Sequence, residues 1–264
     1  MKTKNAMDQT IILPQQKGLL DKLSDLKLDG FNNELADQYE NSQLYQDMTF
    51  EERLERCLDA QLEFASNNRF RRLVQNSKIR NKIYIRQFVP SPTRGLTSET
   101  LLKLKDGDFL NKGLNIVISG PTGTGKTALA SATAIEAMSK GYSAMFFRMN
   151  ELMVLIEAKD KPALARFIDK LRRIRLLIID DYGLTKISDG VVSGLNEIAD
   201  ARYGIGSTII TSQLKKKALK SVIDESPIRD ALADRLFREC DWEITLKGNS
   251  WRGSADELSG EKIK

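Results

Sequence analysis

The stretch Gly-Pro-Thr-Gly-Thr-Gly-Lys-Thr at residues 120–127 constrains this chain more than any other. It stands directly after the apolar, β-branched run LNIVIS (114–119) and directly before a segment that reads as a helix from Lys126 to about Ser139. Strand, glycine-rich loop and helix form the setting in which a GxxxxGK[ST] pattern holds phosphate. Gly120, Gly123 and Gly125 let backbone N–H groups close on phosphate oxygens without Cβ obstruction. The helix start adds its partial positive charge. Pro121, Thr122 and Thr124 complete the loop. Lys126 is expected to reach the β- and γ-phosphates of ATP, and the Thr127 hydroxyl to ligate Mg²⁺.

A phosphate loop of this kind needs an acid at the end of a buried strand, and LLIIDD (176–181) supplies it. Asp180 is expected beside the loop, holding Mg²⁺ mostly through water. Asp181 follows where a water-activating carboxylate is needed. The chain contains no histidine, so no imidazole base is available and the chemistry falls to carboxylates, Lys, Arg and hydroxyls. The run STIIT (207–211) reads as a further strand ending in Thr211, Ser212 and Gln213, where a polar side chain could touch the γ-phosphate or the attacking water. SAMFF (143–147) and WEITL (242–246) add two more strands, and helical patterns fall between, as in VVSGLNEIADARY (191–203). Strands alternating with helices predict a parallel sheet covered on both faces.

The N-terminal third has a different rhythm. Residues 1–17 read as a loose arm, and a helical pattern opens at Gly18 with Leu19, Leu23 and Leu26. Thr49 and Glu52 form a capping box for a second helix, whose apolar face would be Phe50, Leu54, Cys57 or Leu58, and Gln61 or Leu62. The helix is expected to continue to about Arg86, until VPSPTRG (89–95) breaks it. This predicts a helical domain over 18–88, a linker over 89–98, a nucleotide-binding domain over 99–252 and a tail over 253–264. Two cysteines exclude a disulfide framework or a cysteine-rich zinc site. With no secretory leader at the N-terminus and no apolar run near the ~20 residues of a membrane helix, a cytoplasmic protein is expected.

Charge is unevenly spread. The 35 residues between Glu63 and Glu99 hold no acid but carry Arg69, Arg71, Arg72, Lys78, Arg80, Lys82, Arg86 and Arg94. Those eight bases exceed the chain's net +5, leaving the remainder at −3. The first seven are the candidate contacts to duplex DNA, whose dense phosphate charge rewards clustered bases irrespective of sequence.

Five stretches, NIVISGPTGTGKT, LLIIDDYGL, ARYGIGSTIITSQL, ALADRLF and LKGNSWR, come in an order and spacing that resembles the IstB-like ATPases. These are transposition helpers of insertion sequences and relatives of the DnaC-like helicase loaders in the AAA+ class. The resemblance spans about residues 18–252, and RYGIGSTIITSQ and GNSWR are its most specific parts. It implies an AAA+ P-loop NTPase, a parallel sheet flanked by helices and preceded by a small all-helical domain. It further implies an ATPase that binds duplex DNA, self-assembles on it as a homo-oligomer and serves a transposase. Under the resemblance Asp180 matches the metal-coordinating acid, and Asp181 the water-activating position that many AAA+ members fill with Glu. The shorter Asp implies slow hydrolysis. Ser212 matches the γ-phosphate sensor, with Thr211 close behind, and Arg235 the arginine finger that acts on a neighbouring subunit. The role of Arg252 stays open. Two other readings stand beside this one: a loader of a replicative helicase, and a nucleotide-switched architectural DNA-binding protein with little hydrolysis.

Overall fold

A computed structural model describes residues 13–237 and 242–248. Compact units divide between Arg71 and Arg72, whereas the sequence suggests a boundary at 89–98.

The first unit is helical. Helix α1 (Pro14–Asp25) begins with proline in its first turn, earlier than the expected Gly18, because a missing N–H costs nothing there. Helix α2 (Asp29–Glu40) packs on α3 (Phe50–Asn76), which runs across the division. Gly30 permits close approach, since a Cβ there would meet the Ala60 carbonyl at 2.6 Å. The Gln61 side chain then accepts the N–H groups of Gly30 and Phe31 at 2.9 and 3.1 Å. The capping box forms: Thr49 N–H donates to Glu52 Oε2 at 2.7 Å, and Glu52 N–H to Thr49 Oγ1 at 3.2 Å. Of the expected apolar face, Cys57 is buried and Gln61 partly so. Phe50, Leu54, Leu58 and Leu62 are exposed instead, because α2 covers a narrow stripe that leaves their side of α3 open.

Helix α3 stops at Asn76, ten residues short of the expected Arg86. The Ser77 hydroxyl donates to the Val74 carbonyl at 2.7 Å, and Lys78 adopts a left-handed backbone, φ 62°, that ends the helix. Phe146 N–H then donates to the Ser77 carbonyl at 2.8 Å, so the chain after α3 runs beside the sheet rather than as helix. The stretch expected as a linker is also folded within the second unit. Ser91 and Leu96 exchange backbone hydrogen bonds of 2.7 and 3.1 Å, and Lys247 N–H donates to the Arg94 carbonyl at 2.9 Å. Gly95, at φ 79°, lies so close to the Thr245 carbonyl that no Cβ would fit.

The second unit contains α4 (Ser98–Asp106), α5 (Asp108–Lys112), β1 (Ile116–Ser119), α6 (Lys126–Ser139), β2 (Ala144–Arg148) and α7 (Met149–Glu157). It continues through α8 (Lys161–Arg172), β3 (Leu176–Tyr182), α9 (Asp189–Arg202), β4 (Ser207–Ser212), α10 (Pro227–Leu236) and β5 (Trp242–Thr245). The sheet is parallel in the order β2-β3-β4-β1-β5. Strands β1 and β4 are buried throughout and β3 almost so, which is why they read as continuous apolar runs rather than alternating ones. The strand between the phosphate loop and the acids is β4; β2, which precedes the acids in sequence, is an edge strand. Among the described residues no helix is long and apolar enough to cross a membrane.

Candidate functional site

The carboxyl ends of β1, β3 and β4 meet where the strand order departs from sequence order, the usual place for a ligand on an open parallel sheet. A cavity of about 400 Å³ opens there. From the loop it is lined by Thr122, Gly123 and Gly125, from α6 by Lys126, Thr127, Ala128 and Ser131, and from β3 by Asp180 and Asp181. Asn81, Ile83, Arg148 and Gln213 complete the wall.

Local sequence explains the loop's shape. Gly120, at φ 149°, turns the chain where a Cβ would strike the Leu246 carbonyl. Gly125, at φ 95°, stands at the start of α6 and leaves the first N–H groups of that helix facing the cavity. Lys126 is nearly buried, and its ammonium donates to the Pro121 carbonyl at 2.8 Å. Thr124 Oγ1 donates to the same carbonyl at 2.9 Å, so Pro121 and Thr124 brace the loop from behind.

Asp180 is buried, with 1% of its surface exposed, and its Oδ1 accepts two hydroxyls: Thr127 at 2.8 Å and Thr211 at 2.5 Å. Burial pushes its carboxyl above the usual carboxylate range, and the two hydroxyl bonds oppose that rise. A hydroxyl and a carboxylate oxygen so close are hard donors of the kind Mg²⁺ takes. Among the described residues no group of three or more acidic or cysteine side chains could hold an ion alone.

The structure separates the three candidates at the end of β4. Ser212, expected to be the sensor, is fully buried; its hydroxyl donates to the Tyr182 carbonyl at 2.6 Å and accepts Leu214 N–H at 3.0 Å. It does not line the cavity. Thr211 bonds to the acids, and Gln213 lines the cavity. The cue for Gln213 lies in where β4 ends: beyond Ser212 the side chain is released from the sheet. Arg148, at the C-terminal end of β2 beside Asp180 in register, is missed by sequence reasoning that seeks polar residues at the end of STIIT but not at the end of SAMFF.

Arg235 lies at the other end of the sheet. Its backbone carbonyl accepts from Asn115, just before β1, and its guanidinium bonds Asp200 at 2.8 Å and Asn196 at 3.0 Å on α9. It borders a separate cavity of about 60 Å³. The seven basic candidates are all exposed. Arg69 and Arg71 belong to the first unit, and Arg72, Lys78, Arg80, Lys82 and Arg86 to the second. Some are engaged: Lys78 lies 4.3 Å from the Phe147 ring centre, Arg80 3.7 Å from Glu151, and Arg86 4.9 Å from the Tyr84 ring centre. Cys240, Arg252 and most of GNSWR lie outside the described residues.

Residues 21–259 match the family described as IstB-like ATP binding protein. A putative insertion sequence ATP-binding protein of Sinorhizobium fredii is 32% identical over 244 residues, 92% of this chain and 94% of that protein. The insertion sequence IS1162 putative ATP-binding protein of Pseudomonas fluorescens is 31% identical over 197 residues, 74% and 85% of the two chains. Among solved structures, the DnaC helicase loader superposes with a TM-score of 0.50 at 22% identity, covering 62% of this chain and 96% of that one. AMPPCP-bound DnaA from Aquifex aeolicus gives 0.56 at 20% identity, over 71% and 57%. These two likenesses concern the fold.

Proposed function

The chain belongs to the IstB-like ATP binding protein family, and from that premise we propose that it is an ATPase that assembles on duplex DNA and assists a transposase. The observation that supports this reading is that the candidate site residues lie at opposite ends of the sheet. Lys126, Thr127, Asp180 and Asp181 gather at the carboxyl end of the sheet, while Arg235 sits at the amino end. In this reading Arg235 serves the site of the next copy in file rather than its own. Lys126 and the loop N–H groups bind the phosphates. Thr127 and Asp180 hold Mg²⁺, which when bound supplies charge to the phosphate oxygens. Asp181 accepts the proton of the attacking water, Gln213 orients that water or the γ-phosphate, and Arg235 of one copy stabilises the charge that develops in the next.

The basic residues of 69–86 are the DNA contacts in this reading. Each copy brings few of them, so binding is strong only when ATP at the junctions lines copies up along one duplex. Neighbouring copies in file, the transposase and a cytoplasmic location are parts of the same proposal, and the insertion-sequence relatives support the transposase as partner. The test measures ATP hydrolysis and DNA affinity together. Turnover per subunit should rise with protein concentration and with duplex length, and DNA affinity should rise with ATP. Turnover independent of concentration and of DNA would sink the shared-site reading.

A further inference from the structure

The register of β3 against β4 skips at the two acids. Ile179 pairs with Ile210 and Tyr182 with Ser212, so Asp180 and Asp181 together face a single residue, Thr211. In a regular strand consecutive side chains point to opposite faces, so two adjacent carboxylates would diverge. Here both line it. The extra residue and the left-handed backbone of Asp181, φ 59°, undo the alternation. Both features cost something by themselves: a bulge disrupts the ladder, and left-handed backbone is disfavoured for residues other than glycine, though least for Asn and Asp. Something must hold them.

Thr211 is placed to do so. Its oxygen accepts the N–H of Asp181 at 3.0 Å, and its proton goes to Asp180 Oδ1 at 2.5 Å. A hydroxyl has one proton and two lone pairs, so one side chain serves both acids. Thr211 is completely buried, without a route to the nucleotide in the way Gln213 has one. We propose that Thr211 is a positioning residue for hydrolysis: its hydroxyl holds the β3 bulge and thereby keeps Asp181 aimed into the cavity beside Asp180. This rests on the ATPase reading above, and it reassigns a hydroxyl that motif comparison puts near the γ-phosphate.

Two substitutions separate shape from hydrogen bonding. Thr211→Val keeps the outline and loses the hydroxyl; Thr211→Ser keeps the hydroxyl. In single-turnover hydrolysis, Thr211→Val should slow by about 10- to 100-fold while ATP affinity stays within about threefold, and Thr211→Ser should stay close to the wild type. Amide exchange at Asp181, followed by NMR on the full chain without nucleotide, gives a readout that needs no catalysis. The Asp181 N–H should exchange at least about tenfold faster in Thr211→Val and near the wild-type rate in Thr211→Ser. If valine disturbs folding, Thr211→Ala carries the same expectations. Normal turnover in Thr211→Val, serine as impaired as valine, or unchanged Asp181 exchange would each overturn the proposal. A wild type that never hydrolyses ATP would defeat the ATPase reading instead, and the exchange measurement would still decide for or against Thr211.

Discussion

The two ends of the sheet handle polar side chains in opposite ways. At the carboxyl end, Lys126, Thr127, Asp180 and Asp181 converge on a cavity of about 400 Å³. At the amino end the polar groups converge on one another. The buried Arg202 guanidinium donates to the carbonyls of Leu171, Ile174 and Ser207, each at 2.6 Å, and burial lowers its pKa to about 10. That arginine ties α8, the turn after it and β4 into one piece. Buried polar groups must be bonded, so the Arg202 guanidinium, held by three carbonyls, serves structure, while the carboxyl-end groups line the larger cavity. Arg235 belongs to neither kind. Its side chain is 28% exposed and its partner Asp200 63% exposed, so the pair is worth less than about 1 kcal/mol and is easily exchanged for a phosphate.

The sharpest way to break this contrast is to remove Arg235. Arg235→Ala should leave ATP affinity unchanged and lower turnover of the assembled protein by about 10³-fold, the low end for an arginine finger. Asp181→Asn should also lose turnover while retaining nucleotide. Mixing the two proteins pairs an intact cavity with an intact arginine at some junctions, and activity should partly return. No recovery in mixtures shown to co-assemble by crosslinking means that Arg235 does not act across a junction. Lys126→Ala comes next. Without its charge-assisted hydrogen bond to phosphate, ATP binding should weaken by about 10- to 100-fold in a fluorescence titration. Unchanged affinity would mean that the cavity is not the phosphate site.

How much of this is legible depends on how local each feature is. The loop and α6 read closely, because glycine spacing, an apolar run and a helical pattern lie within a few dozen residues. The predicted helix Lys126–Ser139 is the observed one. Helix α8 carries its own signals, Asp160 capping Ala163 N–H at 2.8 Å with a proline in the first turn, yet the strand-by-strand reading passes over it. The bulge at Asp180 and Asp181 is illegible in sequence, since it depends on Thr211, thirty-one residues from Asp180. The end of α3 is hidden for a similar reason. It is set by the Ser77 hydroxyl and by the strand that the following segment meets, and propensity alone lets the helix run on. The exposed leucines of α3 show that an apolar pattern reports what can be buried, and the width of the partner decides what is.

The basic segment extends the contrast beyond the sheet, with a smaller effect. Among the described residues Arg71, Arg72 and Lys82 have no acidic partner, so they make a cleaner probe than Lys78 or Arg80. Arg71→Ala/Arg72→Ala/Lys82→Ala should flatten the slope of log K against log salt by up to ~0.9 for each phosphate that is no longer neutralised. Nucleotide affinity should stay as it was. An unaltered slope would leave these residues as a solvated surface and send the search for DNA-binding residues elsewhere.

The smallest effect bears on the carboxyl end without its ligand, where the cation site proposed above should weaken the empty protein. Burial raises the folded pKa of Asp180 above its unfolded value. For such an acid the sign is fixed: its favourable contribution is present below the unfolded value, about 3.9, and is lost as pH rises through the folded one. At neutral pH the ionised carboxylate is therefore a cost to the empty protein. Asp180→Asn removes the charge and keeps an oxygen for Thr127 and Thr211, so the nucleotide-free variant should melt a few degrees higher, about 0.5–2 kcal/mol. Acidification protonates the wild-type carboxyl, and the gap should narrow as the melt is repeated at successively lower pH. Adding ATP with Mg²⁺ at neutral pH should reverse the order, because only the wild type then gains from binding. A wild type that melts higher than Asp180→Asn while empty would show that the Asp180 carboxylate stabilises the fold by itself, and the carboxyl end would then resemble the amino end after all.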